Sequence, residues 1–174
     1  MLNQNVQDAL NDQIQAELDS AYIYLGMSAY IQSQNYPGFA AWMQAQAQEE
    51  SQHAMKIYGY IVERGGRVQL KALGEPPAEY QSPLDVFQKA YEHEQYITGR
   101  INSLFSLARS NNDPATESLM LWFVNEQVEE EKTMREIVAK LRMIGDDAPS
   151  LLDLDRELGS RQPDAGEGGE GGEA

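Results

Sequence analysis

Apolar side chains recur every three or four positions through four long stretches of this chain, which is the period of a helix that buries one face. Gly and Pro interrupt the pattern at only a few places. Ser82-Pro83 and Asp113-Pro114 each provide an N-cap oxygen followed by proline at the first helical position. The pattern predicts an all-α chain whose helices span about 5–33, 37–64, 83–110, 114–144 and, for a short fifth, 149–158.

The lengths of the connections predict how these helices are arranged. Only a few residues join the first helix to the second and the third to the fourth, so each pair is expected to form an antiparallel hairpin. The connection from the second helix to the third spans residues 66–82. Fully extended it reaches roughly 55 Å, which exceeds the roughly 42 Å length of such a helix. The prediction is a four-helix bundle with one long crossover plus a short fifth C-terminal helix.

Composition narrows the classes of function. The chain has 174 residues, 41% of them hydrophobic, and carries 13 Lys and Arg against 28 Asp and Glu, for a net charge of −15. This acidity argues against a nucleic-acid partner, because phosphate binding requires basic side chains. The absence of cysteine excludes disulfides, thiolate catalysis and cysteine-bound metals. Any metal ion must therefore be held by carboxylate and imidazole groups.

The ends of the chain suggest its domain organisation. We expect one domain over residues 1–160 and a disordered acidic tail over 161–174, because the tail is rich in Gly and Glu and has no apolar anchor. No apolar run approaches the roughly 18 residues that span a bilayer, and the N-terminus lacks a basic segment followed by a hydrophobic one. We therefore expect no membrane contact and a cytoplasmic location.

A glutamate interrupts the apolar face of each long helix. These residues are Glu17, Glu50, Glu94 and Glu130. Any one of them could lie at the edge of its apolar stripe with the carboxylate in water. Four together indicate a shared buried site, because buried carboxylates are costly and the apolar stripes contain no Lys or Arg. The compensating positive charge is then either a bound metal or protons on the carboxyl groups.

Glu50 and His53 favour the metal. They are three residues apart in an E-x-x-H motif, which places both on one helical face at the spacing used by di-iron and di-manganese sites in helical bundles. The charges of the four carboxylates match two divalent ions, with His53 as a neutral ligand. Two ions per chain is a hypothesis from this charge count. His93, beside Glu94, points about 100° around its helix and is expected at the surface.

A second acidic set lies one residue's rotation away from the central face and consists of Glu49, Glu126 and Glu129. It is either a solvated acidic face or a third, looser metal site. Asp113 and Glu117, near the start of the fourth helix, are candidates for an ion access route.

Taken together, these motifs resemble the non-haem ferritins of bacteria and archaea, members of the ferritin-like di-iron superfamily. The resemblance covers about residues 6–158 and recurs in order on all four long helices. The matching segments are Glu17 with Tyr24, Glu49-Glu50-x-x-His53, Glu63 to Val68, Tyr91 to Glu94, and Trp122 to Glu131.

The resemblance implies a ferritin-like fold and a ferroxidase that stores iron. By analogy, one iron ion is held by Glu17, Glu50 and His53, Glu50 bridges to a second ion, and that ion is held by Glu94 and Glu130. The implied catalytic residues also include Gln127 and Tyr24, and Gln127 is counted with the metal residues because it lies near the pair of ions. The implied ligands of a third site are Glu49, Glu126 and Glu129.

The resemblance also implies the partners. Two Fe(II) ions per chain would be oxidised by O2 or H2O2, and the ferric product would be stored as a mineral inside a closed homo-oligomeric cage of about 24 chains. Haem is not expected, because Ser51 follows Glu50 where bacterioferritins place a haem-ligating methionine.

Two other functions remain open from the sequence. A di-iron oxidase or oxygenase would use the same ligands on an organic substrate, and it would need an apolar pocket beside the metals that the sequence does not reveal. A structural acidic bundle would bind a basic partner, keep its carboxylates at the stripe edges and show no dependence on metal.

Overall fold

The computed structural model describes residues 2–160, so the predicted tail over 161–174 lies outside the described residues. Within the described part the chain forms five helices: α1 (Gln4–Ser33), α2 (Pro37–Glu63), α3 (Pro83–Ser110), α4 (Pro114–Ile144) and α5 (Ala148–Gly159). The predicted all-α fold is confirmed, and each predicted helix end lies within one residue of the observed end. Over residues 2–160, no helix has both the length and the apolar character needed to cross a membrane.

The helix starts follow the predicted capping chemistry. The side chain of Ser82 accepts a hydrogen bond from the backbone N–H of Asp85, and the side chain of Asp113 accepts one from that of Thr116. The Arg64 guanidinium also donates two hydrogen bonds to the Asp113 carboxylate, at 3.0 and 3.3 Å. Asp113, a candidate for ion access, therefore has a structural role: it caps α4 and connects its start to the end of α2.

The crossover runs along the surface of α1, to which side chains of α1 hold it. The amide of Gln15 donates to the backbone oxygen of Ala72 at 2.9 Å, and the backbone N–H of Gly74 donates to Asp19 at 2.8 Å. These bonds satisfy backbone groups that a loop without regular structure would otherwise leave to water.

The bundle core is divided along its length into two apolar clusters. The cluster nearer α5 includes Tyr24, Phe39, Trp42, Phe87, Met134 and Leu154. The cluster at the other end includes Leu10, Ile14, Ile57, Ile97, Ile101 and Phe123. Buried glutamates lie between the clusters in the middle of α1, α2 and α3. The helices therefore surround a polar layer enclosed at both ends by hydrocarbon.

A side chain of α5 caps the N-terminus of α2. Tyr36, the N-cap residue of α2, makes no capping hydrogen bond with its side chain. Instead, the buried carboxylate of Asp155 on α5 accepts a hydrogen bond from the backbone N–H of Phe39 at 2.8 Å. A Cβ added to Gly38 would lie 1.8 Å from the backbone oxygen of Asp155, so only glycine permits this approach. The carboxylate thus performs the function of an N-cap from a distant part of the chain.

We expect Gly38→Ala to force α5 away from α2 and to lower the thermal unfolding midpoint. Asp155→Ala should destabilise by about 0.5–2 kcal/mol, as loss of an N-cap does, which corresponds to roughly 2–4 °C per kcal/mol for a chain of this size. Calorimetry on both variants would measure this. Gly59→Ala on the same helix is the matched control, because its added Cβ has no neighbour within 4 Å. Equal midpoints for Gly38→Ala and Gly59→Ala would contradict the prediction.

Candidate metal centre

Glu17, Glu50 and His53 come together in the polar layer. Each offers a ligand atom, and the three atoms all lie within 4.8 Å of one another. The three side chains belong to residues that are 1%, 2% and 7% exposed, so water does not solvate their charges freely. His53 Nδ1 lies 3.6 Å from Glu50 Oε2, which is too long for a hydrogen bond. α1 and α2 therefore place two carboxylates and an imidazole around one small volume.

Two carboxylate oxygens in this group have no hydrogen-bond partner. They are Oε2 of Glu17 and Oε2 of Glu50, and both are buried. A buried polar atom without a partner carries a desolvation cost that is larger still for a charged group. Carboxylate oxygens with an imidazole nitrogen are a donor set that suits divalent iron, manganese or zinc. The residues present therefore fit a bound divalent cation.

Glu94 on α3 is held differently. The Tyr24 hydroxyl donates to its Oε1, and the Gln127 amide donates to its Oε2 at 3.0 Å. All three residues are buried. Each carboxylate oxygen keeps a further lone pair after accepting one hydrogen bond, so Glu94 is oriented without losing its capacity to bind a cation.

Glu130 on α4 is half-buried, and its Oε2 accepts a hydrogen bond from the buried amide of Gln46 at 2.9 Å. Its charge contributes to the raised pKa of Glu50, which places it within electrostatic reach of the α1–α2 group. The structure therefore brings the four predicted glutamates into one electrostatic environment, although Glu130 is less buried than the other three.

The second acidic set is more open. Glu49 is buried, Glu126 is half-buried and Glu129 is exposed. None of the three belongs to the group of ligand atoms that meets the 4.8 Å spacing within residues 2–160. Binding of a third ion by this set stays a prediction.

Burial dominates the electrostatics of the centre. It raises the pKa of Glu17 to about 7, against the lowering effect of the hydrogen bond from Gln13. Burial, followed by the charge of Glu94, raises the pKa of Glu50 well above its ordinary value. The pKa of His53 is lowered to about 4, by burial and then by the charge of Lys56. At neutral pH the imidazole is uncharged and its lone pair is available, while the raised pKa values of Glu17 and Glu50 favour protons on these carboxyl groups, which a cation would displace.

Aromatic rings enclose the histidine. The His53 ring meets Trp122 and Phe123 edge to face, with ring centroids 5.5 and 5.6 Å apart. The Lys56 ammonium lies 3.9 Å from the centroid of the Trp122 ring, which fixes the indole from its outer side. The orientation of the imidazole is thus set by packing from α4.

The expectation that His93 is a surface residue is wrong. The residue is half-buried, its Nε2 lies 2.7 Å from the Ser20 hydroxyl, and its ring packs edge to face against Tyr24. Burial lowers the pKa of His93. The position of His93 around α3 predicts the direction in which its side chain points, but it does not predict which other helix lies in that direction. Here α1 packs there and covers the side chain.

Sequence reasoning identified Gln127 but not the other two glutamines that donate hydrogen bonds to the central glutamates. Gln13 donates to Glu17 Oε1 at 2.9 Å, and Gln46 donates to Glu130 across the bundle. Gln13 lies four residues before Glu17, and Gln46 lies four residues before Glu50. For Gln13, the spacing of one helical turn before a buried glutamate was therefore an available signal, whereas the bond from Gln46 to another helix had none.

Comparison with known proteins gives a consistent result. A model of the ferritin-like domain family matches residues 7–144. A bacterial non-heme ferritin of Bacteroides fragilis (strain 638R) is 38% identical over 161 residues, which cover 92% of this chain and 100% of that protein. Another, of Staphylococcus aureus (strain USA300), is 40% identical over 161 residues, covering 92% and 97% respectively.

Solved structures are similar over nearly the same length. An open pore ferritin from the hyperthermophilic archaeon Archaeoglobus fulgidus superimposes with a TM-score of 0.92 at 49% identity, covering 93% of this chain and 100% of that one. A closed form of the same ferritin, engineered by site-directed mutagenesis, gives a TM-score of 0.92 at 49% identity and covers 93% and 99%.

We expect the metal-free protein to lose stability as the pH rises from about 6.5 to 8. At the lower end of this window the folded chain holds protons on Glu17, whose pKa is about 7, and on Glu50, whose pKa burial raises well above its ordinary value. The unfolded chain releases both protons near 4.5, so the stability that they contribute is lost as the pH rises through the folded pKa values. The lowered pKa of His53 acts in the opposite direction, but only below about 6.5. Thermal unfolding in the presence of a chelator would measure the trend.

Saturation with Zn(II) should reverse this loss, because the cation takes the place of the protons. Glu17→Gln and Glu50→Gln should each flatten the metal-free profile, because an amide does not titrate. A chelator-treated parent protein whose midpoint stays level or rises over this pH range would contradict the prediction.

Proposed function

This chain belongs to the ferritin-like family, and from that membership we propose that it is an iron-storage protein with ferroxidase activity. Fe(II) is its substrate, and the ferric product is kept as a mineral inside a homo-oligomeric cage. The observation that carries the proposal is the pair of buried, unpartnered oxygens of Glu17 and Glu50 beside the neutral imidazole of His53. Such a group is costly to bury unless a cation binds to it.

We assign the residues of the centre on the same basis. Glu17, Glu50 and His53 hold one Fe(II), and Glu50 bridges to a second. The second Fe(II) is bound by Glu94 and Glu130, which Gln127 and Gln46 orient by hydrogen bonds. Tyr24 acts through Glu94: burial raises the pKa of its phenol further above the ordinary value, so the hydroxyl keeps its proton and donates to the carboxylate.

The chemistry is the transfer of one electron from each of two Fe(II) ions. With O2 and two protons the products are two Fe(III) and H2O2, and with H2O2 and two protons they are two Fe(III) and two water molecules. The protein binds the two ions close together and supplies hard oxygen ligands that favour the ferric state. Four carboxylates balance the charge of two divalent ions, and oxidation adds two positive charges, which one oxide or two hydroxide ions from water would balance.

A third ion is assigned to Glu49, Glu126 and Glu129. Support comes from Glu49, which is buried and whose charge contributes to the raised pKa of Glu94, so it lies within electrostatic reach of the centre. The exposure of Glu129 makes this site more accessible to solvent than the other two.

The cage is assigned as an assembly of about 24 copies with closed symmetry. Large apolar side chains exposed on a single chain support association: Tyr22 and Leu25 on α1, and Leu70 and Leu73 on the crossover that lies along α1. Subunit contacts would remove these side chains from water. The cytoplasmic location stays a prediction from the sequence.

The test is aerobic addition of Fe(II) to the parent protein and to Glu50→Ala and His53→Ala. Loss of either ligand should slow oxidation by at least about tenfold, the scale of loss caused even by residues that only support a ligand. Absorbance of Fe(III) would follow the rate. Glu63→Ala is the matched control, because it removes an exposed carboxylate from the end of α2.

Light scattering and iron analysis of the purified particle would test storage. The parent protein should retain ferric iron within a particle of constant size, whereas an oxidase acting on organic substrates should not. Oxidation no faster than in buffer, or equal rates in Glu50→Ala and Glu63→Ala, would overturn the proposal.

A further inference from the structure

Arg100 and Gln13 form a chain of hydrogen bonds that leads from the surface cleft between α1 and α3 to the metal centre. Arg100 Nε donates to Gln13 Oε1 at 3.1 Å, and Gln13 Nε2 donates to Glu17 Oε1 at 2.9 Å. Gln13 is only 2% exposed, whereas Arg100 is half-buried and lines the cleft. These two hydrogen bonds therefore connect the solvent-accessible guanidinium of Arg100 to the buried carboxylate of Glu17 through the amide of Gln13.

The chemistry of the guanidinium fixes the direction of this amide. Arg100 can only donate hydrogen bonds, so the Gln13 oxygen must face it and the Gln13 NH2 group must face Glu17. The reversed amide would set two donors against each other at Arg100 and two acceptors against each other at Glu17.

Arg100 is itself held in place. Its Nη2 donates to the backbone oxygen of Asp12 at 2.9 Å, and its Nη1 donates to the Tyr96 hydroxyl at 3.1 Å. These bonds, with the one to Gln13, occupy all three nitrogens of the guanidinium and connect α3 to α1. Because the guanidinium is already held in one position, it fixes the orientation of the Gln13 amide with little further loss of side-chain entropy.

We propose that Gln13 and Arg100 are positioning residues for Glu17, which they hold so that one oxygen is occupied and the other is presented for the first cation. This inference rests on the proposed function, because it takes Glu17 as a ligand. It adds two residues that are not ligands. Residues that orient a metal ligand by hydrogen bonding typically contribute about 10–100-fold to metal affinity.

The first measurement is the affinity for Zn(II), which is redox-inert, by isothermal titration. Gln13→Met keeps the length of the side chain but removes the donor to Glu17, and it should weaken binding of the first ion by about 10–100-fold. Gln15→Met is the matched control: it removes a glutamine from the same helix whose amide bonds only the crossover, at Ala72. Equal affinities for Gln13→Met and Gln15→Met would overturn the inference.

The second measurement compares substitutions of Arg100. Arg100→Met should weaken Zn(II) binding less than Gln13→Met, because the amide remains but its orientation is no longer fixed. Arg100→Lys keeps a donor and should restore part of the affinity. Arg142→Met is the control, since Arg142 also donates to a glutamine, Gln88, but on the exposed surface. Affinity in Arg100→Met equal to that in Arg142→Met would exclude Arg100 from the role.

A double-mutant cycle separates positioning from general damage to the fold. In a Glu17→Ala background, Gln13→Met should cause no further loss of Zn(II) affinity, because the carboxylate that it orients is gone. The same fold-loss in both backgrounds would overturn the inference. The visible absorption of bound Co(II) gives an independent readout, since Gln13→Met should shift it towards the spectrum of Glu17→Ala.

The parent and Glu17→Ala proteins distinguish failure of this inference from failure of the proposed function. If Glu17→Ala binds Zn(II) as tightly as the parent, the proposed centre is wrong and this inference fails with it. If Glu17→Ala weakens Zn(II) binding and Gln13→Met does not, the centre stands and only the inference is wrong.

Discussion

Burial of negative charge between two apolar clusters is the constraint on which the rest of this structure depends. Glu17, Glu50 and Glu94 each occupy the middle of a helix, and hydrocarbon closes the layer at both ends. Without a cation the layer costs the bundle stability, because the apolar stripes contain no basic residue and the raised pKa values of Glu17 and Glu50 leave protons as the compensating charge. Interactions outside the layer that stabilise the bundle include the two apolar clusters, the Arg64–Asp113 pair and the cap that Asp155 gives to α2. Because the proposed ligands are on helices, the geometry of the centre is set by helix packing rather than by loops.

The carboxylates differ in how completely their oxygens are satisfied. Both oxygens of Glu94 accept hydrogen bonds, Glu17 has one oxygen satisfied by Gln13, and Oε2 of Glu50 has no partner. A carboxylate with more donors is easier to keep ionised and easier to hold in one orientation, but it has less to gain from a cation. The group of Glu17, Glu50 and His53 therefore gains most from the first ion. Burial raises the pKa values of Glu17, Glu50 and Glu94, and among these three, hydrogen-bond donors oppose the rise at Glu17 and Glu94 but not at Glu50.

The helices and the four central glutamates could be predicted from the sequence because they depend on local rules. A helical period of apolar residues, interrupted once on each helix by a glutamate, requires no knowledge of the partner helix. What could not be predicted depends on contacts between distant segments. The side chain of His93 is covered by α1, Asp155 caps a helix 116 residues away in sequence, and Gln13 acquires its orientation from Arg100 on another helix. Predicting any of these three contacts requires the packing angle and register of two helices, and the pattern of residues along one helix does not contain that information.

The choice of histidine at position 53 follows from the same constraint. A further carboxylate in this layer would add a negative charge to a site where burial already raises the pKa of its neighbours. The imidazole contributes a lone pair without a charge, and its burial against Trp122 and Phe123 keeps it neutral at every pH well above about 4. Burial thus has opposite consequences for the two kinds of ligand: it retains a proton on the carboxyl groups and removes one from the histidine. If these residues bind a cation as proposed, it displaces protons from the glutamates alone, so that well above pH 4 the glutamates rather than the histidine set the pH dependence of binding.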